Sequence, residues 1–248
     1  MTEHDPSRRP WSRVFITGTD TAVGKTEITA ALIDAARRAN LRALPFKPAQ
    51  SGEDRPTDAQ RLAAAAAIEG LSADDLAPLH FSPPLAPGMA EDMGPFLDPD
   101  QPTSQAPLDV ARQRLEALER QHRPDLVLIE GAGGLFVPMP GGTWQPQWIE
   151  TLADVVLVVT RPNLGTINHT WLTLHALRTL SLPTLGLVLN EGAALGDTDD
   201  PSIPLNRQLF AHHRDTPLLG VFPRGDDPAA TAHADALFAA ISTRLAAR

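Results

Sequence analysis

The chain has 248 residues, long enough to bury a full hydrophobic core as one large α/β domain. Its formal net charge of -9 argues against a nucleic-acid partner, and the absence of Cys excludes disulfides, Cys-ligated zinc, iron–sulfur clusters and thiol catalysis. The opening residues are polar with no apolar h-region, and no apolar run nears bilayer-spanning length, so a cytoplasmic protein with no membrane partner is expected.

In chain order, residues 1–12 read as a flexible N-terminal segment. The first strand is RVFIT (13–17), followed by a Gly- and Thr-rich loop and a helix over 25–39. The second strand, RALPFK (42–47), leads through a polar turn to a helix over 57–69, whose Ala-rich 61–67 stretch reads as core packing. The segment 78–107 is rich in Pro and Gly and too long for an ordinary loop, which points to a functional or disordered excursion. A helix over 108–121 precedes the strand DLVLIE (125–130), and a second Pro/Gly cluster at 138–146 is a candidate flap. The strands DVVLVVT (154–160), TLGLVLN (184–190) and PLLGVF (217–222) alternate with helices over 165–180 and 229–247. Several of these strands are apolar without alternation, the mark of strands covered on both faces. The fold class is therefore α/β, with a single domain over 13–248 and a mostly parallel, doubly wound sheet carrying helices on both faces.

Between the first strand and its helix stands GTDTAVGKT, from Gly18 to Thr26. A strand, a glycine-containing loop and a helix start together make a phosphate cradle, with backbone N–H groups and the helix dipole facing the anion. Lys25 is placed for the terminal phosphates and Thr26 for a magnesium ion. The strict phosphate-loop pattern asks for Gly at position 19, where this chain has Thr19. Glu130 closes a buried strand ahead of Gly131, Ala132 and Gly133, and side chains at such strand ends face the ligand crevice. A helix-capping role is the alternative for Glu130. Asp58, taken alone, reads as a helix-start acid. Lys47 leaves the second strand toward the same crevice, with a helix-dipole or salt-bridge role as the alternative, and Ser51 and Gly52 stand in a polar turn within reach.

Taken together, GTDTAVGKT, KPAQSG, EGAGGLFVPM, LGTINHTWLTLHAL and GLVLN resemble the dethiobiotin synthetase family, over Val14 to Pro223. The resemblance implies a phosphate-loop ligase that uses ATP and Mg2+ to carboxylate 7,8-diaminononanoate with CO2 and close the ureido ring in biotin biosynthesis. It implies Lys25 and Lys47 as catalytic groups, and Thr26, Asp58 and Glu130 as metal ligands. It places Asp20, Ala22, Val23, Gly24, Glu27, Gly131, Ala132 and Gly133 around the nucleotide, with Asn190 at the adenine edge and Pro223 over the base. Thr21 and Ser51 fall at the amine substrate, and the family's homodimers place the diamine site at the dimer interface. No histidine stands between Leu85 and Met93, where the family carries a Ser-Pro-His segment, so another amine stays open as substrate. A partner-binding ATPase switch is the other open reading; it calls for a second lysine early in the loop, where Asp20 and Thr21 stand. Asn168 and His169, at a helix start, read equally as caps or as functional groups.

Overall fold

A computed structural model describes residues 11–98, 100–193, 200–213, 215–223 and 227–248. Of the expected flexible segment, 1–10 lie outside these residues, and Ser12 already belongs to the first strand. That strand, β1 (Ser12–Gly18), leads through the glycine loop to α1 (Lys25–Arg38) and β2 (Ala43–Phe46). Next come β3 (Ala49–Ser51), α2 (Asp58–Ala66), α3 (Ala73–Leu76), β4 (Leu79–Phe81), α4 (Pro87–Glu91) and α5 (Gly94–Leu97). The long α6 (Ala106–His122) precedes β5 (Leu126–Gly134), and a small hairpin of β6 (Pro138–Met139) and β7 (Thr143–Trp144) precedes α7 (Gln145–Leu152). The chain then runs through β8 (Val155–Thr160), α8 (Thr166–Thr179), β9 (Thr184–Asn190), α9 (Ser202–Ala211), β10 (Leu218–Phe222) and α10 (Ala230–Ala246).

The six strands expected from the sequence form one sheet in the order β10-β9-β8-β1-β5-β2, parallel throughout. Residues such as Val14, Phe15 and Ile16 in β1, and Val156 to Val159 in β8, are fully buried because helices cover both faces. The path explains the two faces. From β1 the chain crosses to β2 in one direction, then returns through β5 and continues the opposite way to β8, β9 and β10. Right-handed crossovers in opposite directions put their helices on opposite faces. Accordingly α1 packs with α2 and α10, while α6 packs with α7.

Register carries this arrangement to the working edge. Ile16 pairs with Glu130 on one side and Leu157 on the other, and Gly18 pairs with Gly134 and Val159. The carboxyl ends of β1, β5 and β8 therefore open side by side, as a doubly wound sheet requires of a ligand crevice.

The expected helices match α1, α2, α6, α8 and α10 within a few residues. Helices α3, α4, α5, α7 and α9 and the four short strands were not expected, because they are brief or carry a Pro in the first turn. The 78–107 excursion holds β4, α4, α5 and the start of α6, and the 138–146 cluster is the β6–β7 hairpin with the first residues of α7.

One buried ion pair fastens α6 to β1. The Arg13 guanidinium donates two bonds to the Glu119 carboxylate, at 2.7 and 2.5 Å, and Trp11 Nε1 donates a third at 2.9 Å. Both charged side chains are under a tenth exposed. Removing one partner of such a pair leaves the other charge buried. Glu119→Ala should therefore lower unfolding free energy by about 3–5 kcal/mol in chemical denaturation. Glu119→Gln, which keeps a hydrogen-bonding oxygen, should cost clearly less.

Candidate functional site

The loop between β1 and α1 is shaped by its glycines and closed by α1. Gly24, the N-cap of α1, has φ +85 and no side chain; a Cβ there would lie 1.8 Å from Asn190 Nδ2. Only glycine meets both conditions. A stripe of Ile28, Leu32, Ile33, Ala35 and Ala36 buries α1 and fixes its start at the sheet edge. Lys25 is 7% exposed, and its ammonium donates to the Asp20 carbonyl at 3.2 Å. Asp20 is itself held: one carboxylate oxygen accepts from Thr21 N at 2.7 Å and the other from Arg161 at 3.3 Å.

Four groups from four separate pieces of chain meet beside this loop. The Lys47 ammonium lies 2.6 Å from Glu130 Oε1 and 2.8 Å from Asp58 Oδ2, and the Thr26 hydroxyl donates to the same Glu130 oxygen at 2.8 Å. Asp58 is free for this role because α2 is capped by its neighbour. The Thr57 hydroxyl accepts from Gln60 N, and the Gln60 side chain accepts from Thr57 N, a complete capping box. Gln50 adds a further anchor, accepting from Ala59 N at 2.9 Å. The acid at the helix start thus faces the crevice instead of capping. Glu130 does not cap a helix either: it lies within β5, 1% exposed. For Lys47, the salt-bridge reading and the crevice reading both hold.

These groups line one cavity of about 830 Å³. It brings together Thr21, Ala22, Gly24, Lys25, Thr26, Glu27, Lys47, Ser51, Asp58, Glu130, Gly131, Ala132 and Gly133. Four expected site residues lie outside its lining. Asp20 stands behind Lys25. Val23 is wholly buried, and its carbonyl accepts from Asn190. Asn190, at the end of β9, donates to Val23 O and Glu27 and accepts from Gly192 N. Pro223 is buried just after β10. The Ser51 hydroxyl donates to Leu85 O at 2.5 Å.

Several contributors had no signal in the sequence. Gln145 is fully buried; its carbonyl oxygen accepts from Ala132 N, and its amide donates to Gly134 O and Thr17 Oγ1. It thereby fastens the glycine turn after Glu130 to β1. Asp54, in the turn after β3, and Arg61, in α2, also line the cavity, as do Pro84 to Pro87, brought there by an excursion whose path no local pattern reveals.

The residues fit a magnesium ion. Glu130 Oε2 is buried and has no hydrogen-bond partner among the described residues, an orphaned acceptor at the point where a cation is called for. Thr26, Asp58 and Glu130 offer only oxygen donors, the set that suits Mg2+.

Charge in the cavity is finely opposed. Burial, with Lys47 nearby, pushes the Lys25 ammonium down to about 8, against the pull of Glu130 and Asp58. Burial also opposes the charge on Lys47, but the Glu130 and Asp58 carboxylates outweigh it and hold its pKa above the usual lysine value. Asp58 is held below the usual carboxylate range, because Lys47 and the Thr26 hydroxyl outweigh its own partial burial. For Lys25 the native pKa lies below the unfolded one, so the unfolded chain binds more protons between about 8 and 10.5, and stability rises with pH across that window. Below it the buried charge is a full destabilisation, on the order of 3 kcal/mol at most. Lys25→Met should raise the melting temperature at neutral pH by several degrees in a ligand-free scan. A melting temperature lower than that of the unaltered chain would contradict this account of Lys25.

Comparison with known proteins bears on the family. A family model described as an AAA domain matches residues 12–231. An ATP-dependent dethiobiotin synthetase BioD of Anaeromyxobacter sp. (strain Fw109-5) is 46% identical over 196 residues, 78% of this chain and 81% of that protein. Its namesake from Anaeromyxobacter dehalogenans (strain 2CP-C) is 42% identical over 224 residues, 89% of this chain and 94% of that protein. Among solved structures, cobyrinic acid a,c-diamide synthase from Mycobacterium smegmatis, with bound ATP analogue and magnesium, superposes with a TM-score of 0.58. It is 15% identical, covering 95% of this chain and 96% of that one, a likeness of fold alone. Identity of 42–46% over 78–89% of the chain, with the family model matching residues 12–231, has one meaning: the chain belongs to the ATP-dependent dethiobiotin synthetase family.

Proposed function

We propose that Lys47, gripped between Glu130 and Asp58 at the mouth of the phosphate loop, is the group around which this enzyme performs its chemistry; that grip is the observation that carries the reading. The enzyme carboxylates 7,8-diaminononanoate with CO2 at the expense of ATP and closes the ring to dethiobiotin. One amine adds to CO2 and loses a proton, giving a carbamate. A carbamate oxygen then forms a bond to the γ-phosphorus as the bond to ADP breaks, giving a carbamic–phosphoric anhydride. The second amine attacks the carbonyl carbon, expels phosphate, loses a proton and closes the ureido ring.

No step needs a covalent bond to the protein, so the residues act by position and charge. Lys25, at the head of α1, takes the terminal phosphates. Lys47 serves the carbamate and the transferring phosphoryl. Thr21 and Ser51 contact the amine substrate. The loop from Asp20 to Glu27 and the turn Gly131, Ala132 and Gly133 surround the nucleotide, with Asn190 and Pro223 on the side of the base. Thr26, Asp58 and Glu130 would hold Mg2+, which supplies charge neutralisation at the phosphates. Residues 13–248 act as one catalytic domain, in the cytoplasm.

The enzyme acts as a homodimer. Leu164, Leu172 and Leu205 are 83%, 61% and 65% exposed, and Ile167 and Leu209 are also exposed, all on or beside α8 and α9. Large apolar side chains this exposed on and beside two helices fit a face covered by a partner. Leu172→Arg combined with Leu205→Arg should halve the mass measured by light scattering.

With ATP, Mg2+, bicarbonate and 7,8-diaminononanoate, the enzyme should release dethiobiotin, ADP and phosphate in equal amounts. Absence of amine-dependent phosphate release would overturn the proposal. Lys47→Ala should cut product formation by about 10²-fold or more yet leave nucleotide affinity within a few-fold; near-normal turnover would remove Lys47 from the mechanism.

A further inference from the structure

The two Pro- and Gly-rich stretches of the sequence, 78–107 and 138–146, are packed on each other. Gly88, in α4, lies against the backbone of β6; a Cβ there would stand 2.5 Å from the Met139 carbonyl oxygen and 2.8 Å from its nitrogen. No rotamer change relieves such a contact, because the atoms met are main chain. The seam continues on both sides. Glu91 accepts from Gly141 N at 2.5 Å, Ser104 N donates to Gly141 O at 2.8 Å, and Phe96 meets Trp144 edge to face with centroids 5.5 Å apart.

The first stretch lines the cavity and the second adjoins it. Pro84 to Pro87 line it just ahead of Gly88, and Val137 lines it just ahead of Met139. Among the described lining residues, apolar side chains larger than alanine come only from Pro84, Leu85, Pro87 and Val137. The rest of the lining is small, polar or charged. A diamine with a long hydrocarbon chain must lay its methylenes on apolar surface, and within the described cavity of one protomer this wall offers it. Leu85 is 47% exposed there, and its carbonyl is held by Ser51.

We infer that Gly88 is a positioning residue for the amine substrate: its close approach to Met139 sets how near the Pro84–Pro87 wall stands to Lys47, and so selects the length of the hydrocarbon chain. The inference rests on the assignment of the cavity to 7,8-diaminononanoate.

The test is steady-state kinetics of the full-length enzyme, with KM for the diamine and for ATP measured separately. Gly88→Ala should raise the diamine KM about tenfold or more, the worth of one misplaced methylene contact, with the ATP KM within about twofold. Preference for 7,8-diaminononanoate over a diamine one methylene shorter should shrink in parallel. Glu91→Ala removes a seam contact without adding bulk, and Leu85→Ser alters the wall at an exposed side chain; both should show the same split to a lesser degree. These two variants decide the matter should Gly88→Ala fail to fold. An unchanged diamine KM in the folded variants, or equal losses for ATP and diamine, would overturn the role of Gly88. Failure of the unaltered enzyme to turn over the diamine would instead overturn the function proposed above.

Discussion

The Lys47 ammonium stands between the Glu130 and Asp58 carboxylates, and the placement of that one group constrains four pieces of chain at once. Lys47 is fixed by the end of β2, Glu130 by β5, Thr26 by the start of α1 and Asp58 by the start of α2. A buried ammonium without its carboxylates would be expensive, as would either carboxylate without a cation. The crossing order of the sheet therefore has to deliver all four to one point. Two cations and two carboxylates balance, with Lys25 the member least content with its charge. A site in this condition is ready to accept a polyanion and a divalent cation together, since each offsets the electrostatic cost of the other.

The scaffold around this point is rigid where the chemistry needs it. Asp58 is oriented by a capping box and by Gln50, and the glycine turn after Glu130 by Gln145. Each polar contact uses a backbone N–H at a helix start or strand exit, groups that would otherwise lack a partner. Hydrogen bonds of this sort contribute little individually, about 1 kcal/mol net, yet they restrict where the functional side chains can stand. Precision here comes from residues with no chemistry of their own.

Much of this was legible in the sequence. All six strands of the central sheet were visible as short β-rich apolar runs, several of them without alternation, the mark of a doubly covered parallel strand. The phosphate loop was legible from Gly24, Lys25 and Thr26, although Thr19 stands where the strict pattern asks for glycine. Glu130 and Lys47 were legible because residues leaving buried parallel strands reach the same edge. Asp58 was not, taken alone. A helix-start acid looks the same whether it caps its own helix or faces a crevice, and only the Thr57–Gln60 box separates the two. Gln145, Gln50 and the Pro84–Pro87 wall were invisible for a related reason. Their contacts depend on how turns and short elements fold back, not on a local repeat, and short Pro-interrupted helices carry no periodicity to place them.

Asn190 joins the end of β9 to the loop between β1 and α1 through Val23 and to α1 itself through Glu27, and the Gly24 backbone lies too close to it for any side chain. The side of the crevice assigned to the nucleobase and the side assigned to the triphosphate are thus one mechanical part. An engineer who tried to retune the enzyme from one nucleoside triphosphate to another by replacing Asn190 would loosen the grip on every triphosphate. Changes of base preference would have to come from residues beyond that amide, leaving the tie itself in place.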